Sequence, residues 1–154
     1  MPLLWSMDVI QTLAFFSIGV LLPIWKEEFG LSPTEAGLLG ATGFLGFGLM
    51  ALPSSIWLTK YNPKLITSVC ALLMGAAIAA HAIASNTETL MLTRFVFVVF
   101  SVCRIQMQVI FIQQWFLPRL YATANSLDFG ARAIGQVIAT AAVPVPAIAL
   151  NGWG

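Results

Sequence analysis

Four charged residues lie deep inside apolar stretches of this sequence: Asp8, Arg104, Asp128 and Arg132. A charged side chain in the hydrocarbon core of a bilayer costs about 2.5–3.5 kcal/mol on insertion scales. Such a group therefore faces other protein groups, a partner charge or a water-filled cavity. Buried arginines in this setting can bind an anion, and buried carboxylates can carry a proton.

The apolar stretch that contains Arg104 carries a polar stripe. At about 100° per residue, several polar or amphipathic side chains share one helical face, and the intervening positions are mostly Phe, Val and Ile. The stripe consists of Arg94, Ser101, Arg104, Gln108 and Trp115. Since no acidic residue lies within one turn of Arg104 in the sequence, a structural role needs a partner on another helix, and anion binding is the alternative.

Two further stretches repeat this pattern. The last one presents Asn125, Asp128, Arg132 and Gln136 at spacings of three and four, and the first presents Asp8, Gln11 and Thr12. Asp128 and Arg132 could neutralise each other as a structural brace. A helical rise of 1.5 Å per residue places Arg104 and Arg132 near one midplane level. We therefore expect the three stripes to line a solvated pathway with a cationic midpoint, suited to an anion.

The elements that hold these residues follow from composition. Of 154 residues, 59% are apolar and 8% are charged, whereas soluble domains carry roughly 25% charged residues. A membrane span needs about 20 apolar residues, so the chain is predicted to be an all-α, polytopic membrane helix bundle over residues 1–154. The predicted spans lie near 3–24, 34–57, 64–84, 90–116 and 121–149.

Other function classes find little support in the sequence. A net charge of +1 without a long basic stretch argues against a nucleic-acid partner. Cys70 and Cys103 lie in apolar runs, so we expect neither a disulfide framework nor a metal site, and we expect no cofactor. The single histidine, His81, is more typical of a packed imidazole than of a proton relay, and the chain is predicted not to be an enzyme.

Local signals define the connections and the orientation. Ser32-Pro33-Thr34-Glu35 is typical of a capping box, Asn62-Pro63 predicts a similar helix start, and Pro118 predicts the turn after the fourth span.

The orientation follows from the positive residues in the loops. Lys60, Lys64 and Arg119 lie in two loops that contain no acidic residue. Because positive residues in short loops stay in the cytoplasm, the N-terminus is predicted to be cytoplasmic.

Three features have a simpler interpretation beside the functional one. Arg94 lies near the outer end of its span and could extend to the lipid headgroups. Asp8 lies near a helix end, where hydration is cheap, and is otherwise a candidate for proton coupling. The glycines of the second span favour close helix packing; they are Gly37, Gly40, Gly43, Gly46 and Gly48.

Several motifs occur in a familiar order. Leu31-Ser32 through Gly37 matches an LS-x-x-x-x-G opening of a second helix, and Arg94 precedes Trp115-Phe116-Leu117-Pro118 at the expected distance. The loop after the second span keeps the two basic positions of G-x-x-x-D-[RK]-x-G-x-[RK] as Lys60 and Lys64, but Thr59 replaces the aspartate. In these features the chain resembles helices one to five of a major facilitator superfamily transporter.

The resemblance implies half of a twelve-helix carrier that holds its substrate between two six-helix halves, which rock to expose it to each side alternately. It implies a gating loop at Lys60 and Lys64 and adds Arg94 to the anion contacts. The predicted substrate-binding residues are then Arg94, Arg104, Arg132, Gln108 and Gln136, and the proton-coupling candidates are Asp8 and Asp128.

The expected partners are the lipid bilayer of the plasma membrane, a small anionic substrate, a coupling proton or sodium ion, as in a symporter, and the missing C-terminal helices. A truncated or degenerate membrane protein without transport activity of its own is the competing hypothesis. The altered signature loop and the lack of a sixth helix favour that alternative.

Overall fold

A computed structural model describes residues 2–142, and α-helices with two short 3₁₀ helices are the regular elements of this part of the chain. The α-helices are α1 (Pro2–Glu28), α2 (Pro33–Trp57), α3 (Pro63–Ala82), α4 (Thr87–Trp115) and α5 (Tyr121–Ala142). The 3₁₀ helices, Leu58–Lys60 and Pro118–Leu120, connect α2 to α3 and α4 to α5. The predicted all-α class is confirmed.

Four of these helices, α1 to α4, are long and apolar enough to cross a membrane. The described part of α5 is not among them, because its polar stripe, with Asp128 and Arg132, lowers its apolar content. Residues 143–149 of the predicted fifth span lie outside the described residues. The helices otherwise begin and end within a few residues of the predicted spans.

Side-chain caps set the starts of three helices. The Ser32 hydroxyl accepts a hydrogen bond from the Glu35 backbone N–H at 3.2 Å, and Glu35 Oε2 accepts one from the Ser32 N–H at 2.8 Å. This reciprocal pair is the predicted capping box. Asn62 Oδ1 accepts from the Lys64 N–H at 3.0 Å, as predicted. Asn86 caps α4 in the same way, and α4 therefore begins three residues before the predicted span.

α1 ends where the backbone becomes left-handed. Gly30 has a φ of 60°, a conformation that costs a side-chain-bearing residue energy and that glycine adopts readily. The chain then passes directly through Leu31 into the Ser32 cap of α2. One glycine therefore allows the short connection between the first two helices.

The described residues form two compact units, and the first consists of α1 and α5. Asp8 lies opposite Arg132, and Thr12 lies opposite Gly135. Because these contact positions increase together along both helices, α1 and α5 run parallel. A Cβ atom at Gly135 would overlap the carbonyl oxygen of Val9, so the absence of a side chain at this position lets the two backbones meet.

The second unit consists of α2, α3 and α4, and α4 packs against both of the other helices. Residues 83–86 join α3 to α4 in a short helical hairpin. Along α2 and α4, Gly46 contacts Val98, and farther on the Ala51 carbonyl accepts a hydrogen bond from Gln106 Nε2 at 3.4 Å. These positions also increase together, so α2 and α4 are parallel.

Candidate functional site

The polar stripe of α4 is buried in the protein. Arg104 and Gln108 are each 1% exposed, and Arg94 and Ser101 are also buried. Trp115, the last member of the predicted stripe, is exposed near the end of the helix. The predicted face is therefore a row of buried polar groups over about four turns of α4, flanked by core residues such as Phe97.

Arg104 and Gln108 form a pair within this row. Arg104 Nη1 donates a hydrogen bond to Gln108 Oε1 at 2.8 Å, across one turn of α4. Gln108 is neutral, so this bond orients the guanidinium and does not cancel its charge. A guanidinium held in this way can present parallel N–H donors to a carboxylate or a phosphate.

Arg94 packs against α2. Its Nη2 lies 3.1 Å from the position that a Cβ atom of Gly43 would occupy, and the side chain is buried. The interpretation in which Arg94 extends to the lipid headgroups is therefore wrong.

Two of the five glycines of α2, Gly43 and Gly46, make close contacts with α4. At the other three glycines of α2, a Cβ atom would meet no neighbour within 4 Å in the described part of the chain; these are Gly37, Gly40 and Gly48.

The unit of α1 and α5 contains a three-residue ionic cluster. Arg132 Nη2 donates to Asp128 Oδ2 at 2.6 Å, within α5, and Arg132 Nε lies 3.8 Å from Asp8 Oδ1 on α1. Asp8 and Asp128 are buried, and 23% of the Arg132 side chain is exposed. The Arg132 guanidinium also lies over the Phe129 ring, 5.7 Å from its centroid.

The contacts of this cluster bear on the alternatives left open by the sequence. Asp128 and Arg132 do form a brace, but the brace also includes Asp8, which the sequence placed on a separate stripe. Asp8 is 1% exposed, so it is not a hydrated carboxylate at a helix end. In this cluster one guanidinium faces two carboxylates, one on its own helix and one on α1.

Other predicted residues are exposed. Gln136 on α5 is exposed, as are Lys60 at the end of the first 3₁₀ helix and Lys64 at the start of α3. The Thr59 hydroxyl, at the position of the family's aspartate, donates to the Ile56 carbonyl at 2.9 Å. This local bond satisfies the hydroxyl but supplies no charge to the loop.

His81 behaves as a packed side chain. Its Nδ1 lies 3.1 Å from the Ala77 carbonyl oxygen, one turn earlier in α3. Within residues 2–142, no group of three or more His, Cys, Asp or Glu side chains is arranged to hold a metal ion.

Membrane-spanning α-helices that bury charged side chains along their length define an integral membrane protein with a polar interior. The sequence profile of the Major Facilitator Superfamily matches residues 4–153. The chain belongs to this family, and the resemblance seen in the sequence is confirmed.

Solved structures agree with the family assignment. The chain is similar to a bacterial homologue of the human lysosomal transporter Spinster in an inward-facing and occupied conformation, with a TM-score of 0.77 and 25% identity over 89% of this chain and 30% of that one. The unoccupied form gives a TM-score of 0.75 and 22% identity over 89% and 28%. The chain thus spans about 30% of the length of these transporters. No curated protein matches the chain.

Proposed function

We propose that this chain forms the N-terminal part of a secondary transporter, not an enzyme, that moves a small anion across the plasma membrane by alternating access. Membership of the Major Facilitator Superfamily and likeness to a transporter structure support transport in general. Because the chain spans about 30% of its structural relatives, the activity is that of the complete protein. Its N-terminus is proposed to be cytoplasmic, from the positions of Lys60, Lys64 and Arg119.

The anion assignment depends most on Arg104. Its guanidinium is buried in an apolar membrane helix and oriented by Gln108, and an ionised group at such a position usually marks a substrate or ion pathway. Arg94, buried two to three turns away along α4, is proposed as a second contact. When alternating access opens the carrier, these guanidiniums would face the anion.

The ionic cluster of α1 and α5 suits a coupling role better than direct binding. Asp128 occupies Arg132 Nη2, and Asp8 lies near Arg132 Nε, so an anion would compete with two carboxylates for this guanidinium. Protonation of either carboxylate would release part of the Arg132 charge. We therefore propose proton-coupled symport, with sodium as the other candidate ion. Direct contact of the anion with Arg132 and Gln136 remains a prediction.

The proposal is tested with the complete purified protein in proteoliposomes. Radiolabelled lactate, gluconate and phosphate sample monocarboxylate, sugar-acid and inorganic anions, and glucose and choline serve as neutral and cationic controls. Uptake of at least one anion and of neither control is expected. Uptake of only a neutral or cationic solute would overturn the anion assignment, and uptake of none would favour the hypothesis of a degenerate protein.

Asp8→Asn and Asp128→Asn should uncouple anion uptake from a proton gradient. Each amide keeps the side-chain shape but can no longer gain and lose a proton. We expect the rate with an imposed pH gradient to fall to the rate measured without one, while exchange of labelled for unlabelled anion persists. Glu88→Gln, at an exposed position in the first turn of α4, is the matched control. Persistence of gradient-driven uptake in both variants would exclude these carboxylates.

A further inference from the structure

Two glycines of α2 contact α4 in chemically different ways. A Cβ atom at Gly43 would lie 3.1 Å from Arg94 Nη2, 3.5 Å from Nε and 3.6 Å from Cζ, so the guanidinium rests against the backbone of α2. A Cβ atom at Gly46 would lie 3.1 Å from Val98 Cγ1, an apolar neighbour. One close approach therefore concerns a charged group, and the other concerns packing alone.

The contact at Gly43 limits where the charge of Arg94 can lie. A separation of 3.1 Å is tighter than ordinary van der Waals contact for a Cβ atom, so a methyl group at position 43 would displace the guanidinium by a few tenths of an ångström. The Arg94 side chain is buried, and its surroundings are close-packed. The displacement would therefore change the direction of the guanidinium N–H groups and would not be absorbed by solvent.

We propose that Gly43 is a positioning residue for Arg94: by lacking a side chain, it sets the place and direction of the guanidinium that receives the carboxylate or phosphate group of the substrate. This inference rests on the proposed role of Arg94 as an anion contact. Gly46, one turn later, positions the α4 backbone through Val98 and has no direct effect on the charge.

Gly43→Ala in the complete transporter is the direct test, with uptake of lactate, gluconate and phosphate as the probes. Small displacements of a positioning group weaken recognition strongly, and we expect KM for the transported anion to rise about threefold to tenfold. Gly40→Ala is the matched control, since its Cβ position has no neighbour within 4 Å among the described residues. Both substitutions gain helix propensity equally, so their difference isolates the contact with Arg94.

A second measurement does not depend on transport. Melting temperatures of Gly43→Ala, Arg94→Lys and the double variant form a cycle. Lysine lacks Cζ and both Nη atoms, so the methyl group at position 43 should have room, and Gly43→Ala should lower the melting temperature only when Arg94 is present. Gly46→Ala, which meets Val98, should lower the melting temperature equally in both backgrounds.

The outcomes separate the two proposals. If Gly43→Ala has the same effect with Arg94 intact as in the Arg94→Lys variant, Gly43 only packs and the positioning role is overturned. If the cycle shows coupling but KM for every transported anion is unchanged, Gly43 positions Arg94 and the assignment of Arg94 as an anion contact fails. Coupling together with a raised KM supports both.

Discussion

Arg104→Ala should abolish anion uptake by the complete transporter without preventing membrane insertion. Arg104 is 1% exposed on α4 and is oriented by Gln108. In the proposed complex the Arg104 guanidinium pairs with the anion, and removing one partner of a desolvated charge pair costs about 2–5 kcal/mol. Since about 1.4 kcal/mol corresponds to a tenfold change, the affinity for the anion should fall by about 30-fold or more. Initial rates in proteoliposomes, at matched protein content, measure this loss.

Graded variants separate charge from geometry at this position. Arg104→Lys keeps the charge but loses the two parallel N–H donors, so it should retain weak uptake with a raised KM. Gln108→Leu removes the acceptor that orients Arg104 and should have an intermediate effect. Arg119→Gln, at an exposed position after α4, is the control. Unchanged uptake of every transported anion in Arg104→Ala would exclude Arg104 as an anion contact.

The sequence predicts the local features of this fold well because those features depend on neighbouring residues. The capping box at Ser32 and Glu35 forms as predicted, and so does the cap at Asn62. The buried stripe around Arg104 follows from helical periodicity, since a membrane helix turns its polar side chains away from lipid. The number of helices and the polar face of α4 could therefore be predicted without knowing how the helices pack.

Contacts between helices could not be predicted in the same way. Gln106 donates to the Ala51 carbonyl, and Asp8 lies beside Arg132, although each pair is far apart in sequence. Periodicity assigns a residue to a face but does not specify which residue of another helix it meets. For this reason the sequence could not distinguish two roles for Asp8, a hydrated carboxylate near a helix end and a proton-coupling group.

The glycines show the same limit. The small-residue pattern predicts the same close packing for all five glycines of α2. The structure brings only Gly43 and Gly46 against α4 and, within the described residues, leaves open space at the other three. Gly135, on α5, lies directly against the Val9 carbonyl of α1, and no small-residue pattern in the sequence distinguishes it. Whether a glycine contacts another helix depends on where the two helices cross, and the crossing point is a property of the tertiary structure.

Gly135→Ala should be the most destabilising single-methyl substitution in the unit of α1 and α5. The new Cβ atom would overlap the carbonyl oxygen of Val9 and would lie 3.1 Å from Thr12 Cβ. A backbone carbonyl cannot rotate away as a flexible side chain can, so the helices must separate. Overpacking of this kind costs about 1–3 kcal/mol, and occasionally more. The melting temperature of the complete protein in detergent should fall by several degrees.

Gly130→Ala provides the comparison on the same helix, because its Cβ position has no neighbour within 4 Å in the part of the chain that the structure describes. Alanine favours the helix by up to about 1 kcal/mol over glycine, so this variant should be unchanged or slightly more stable. Separation of α1 from α5 would also lengthen the contact of 3.8 Å between Arg132 Nε and Asp8 Oδ1. Gly135→Ala should therefore weaken gradient-driven uptake as well as stability. Equal melting temperatures for the two variants would show that α1 and α5 do not meet at Gly135.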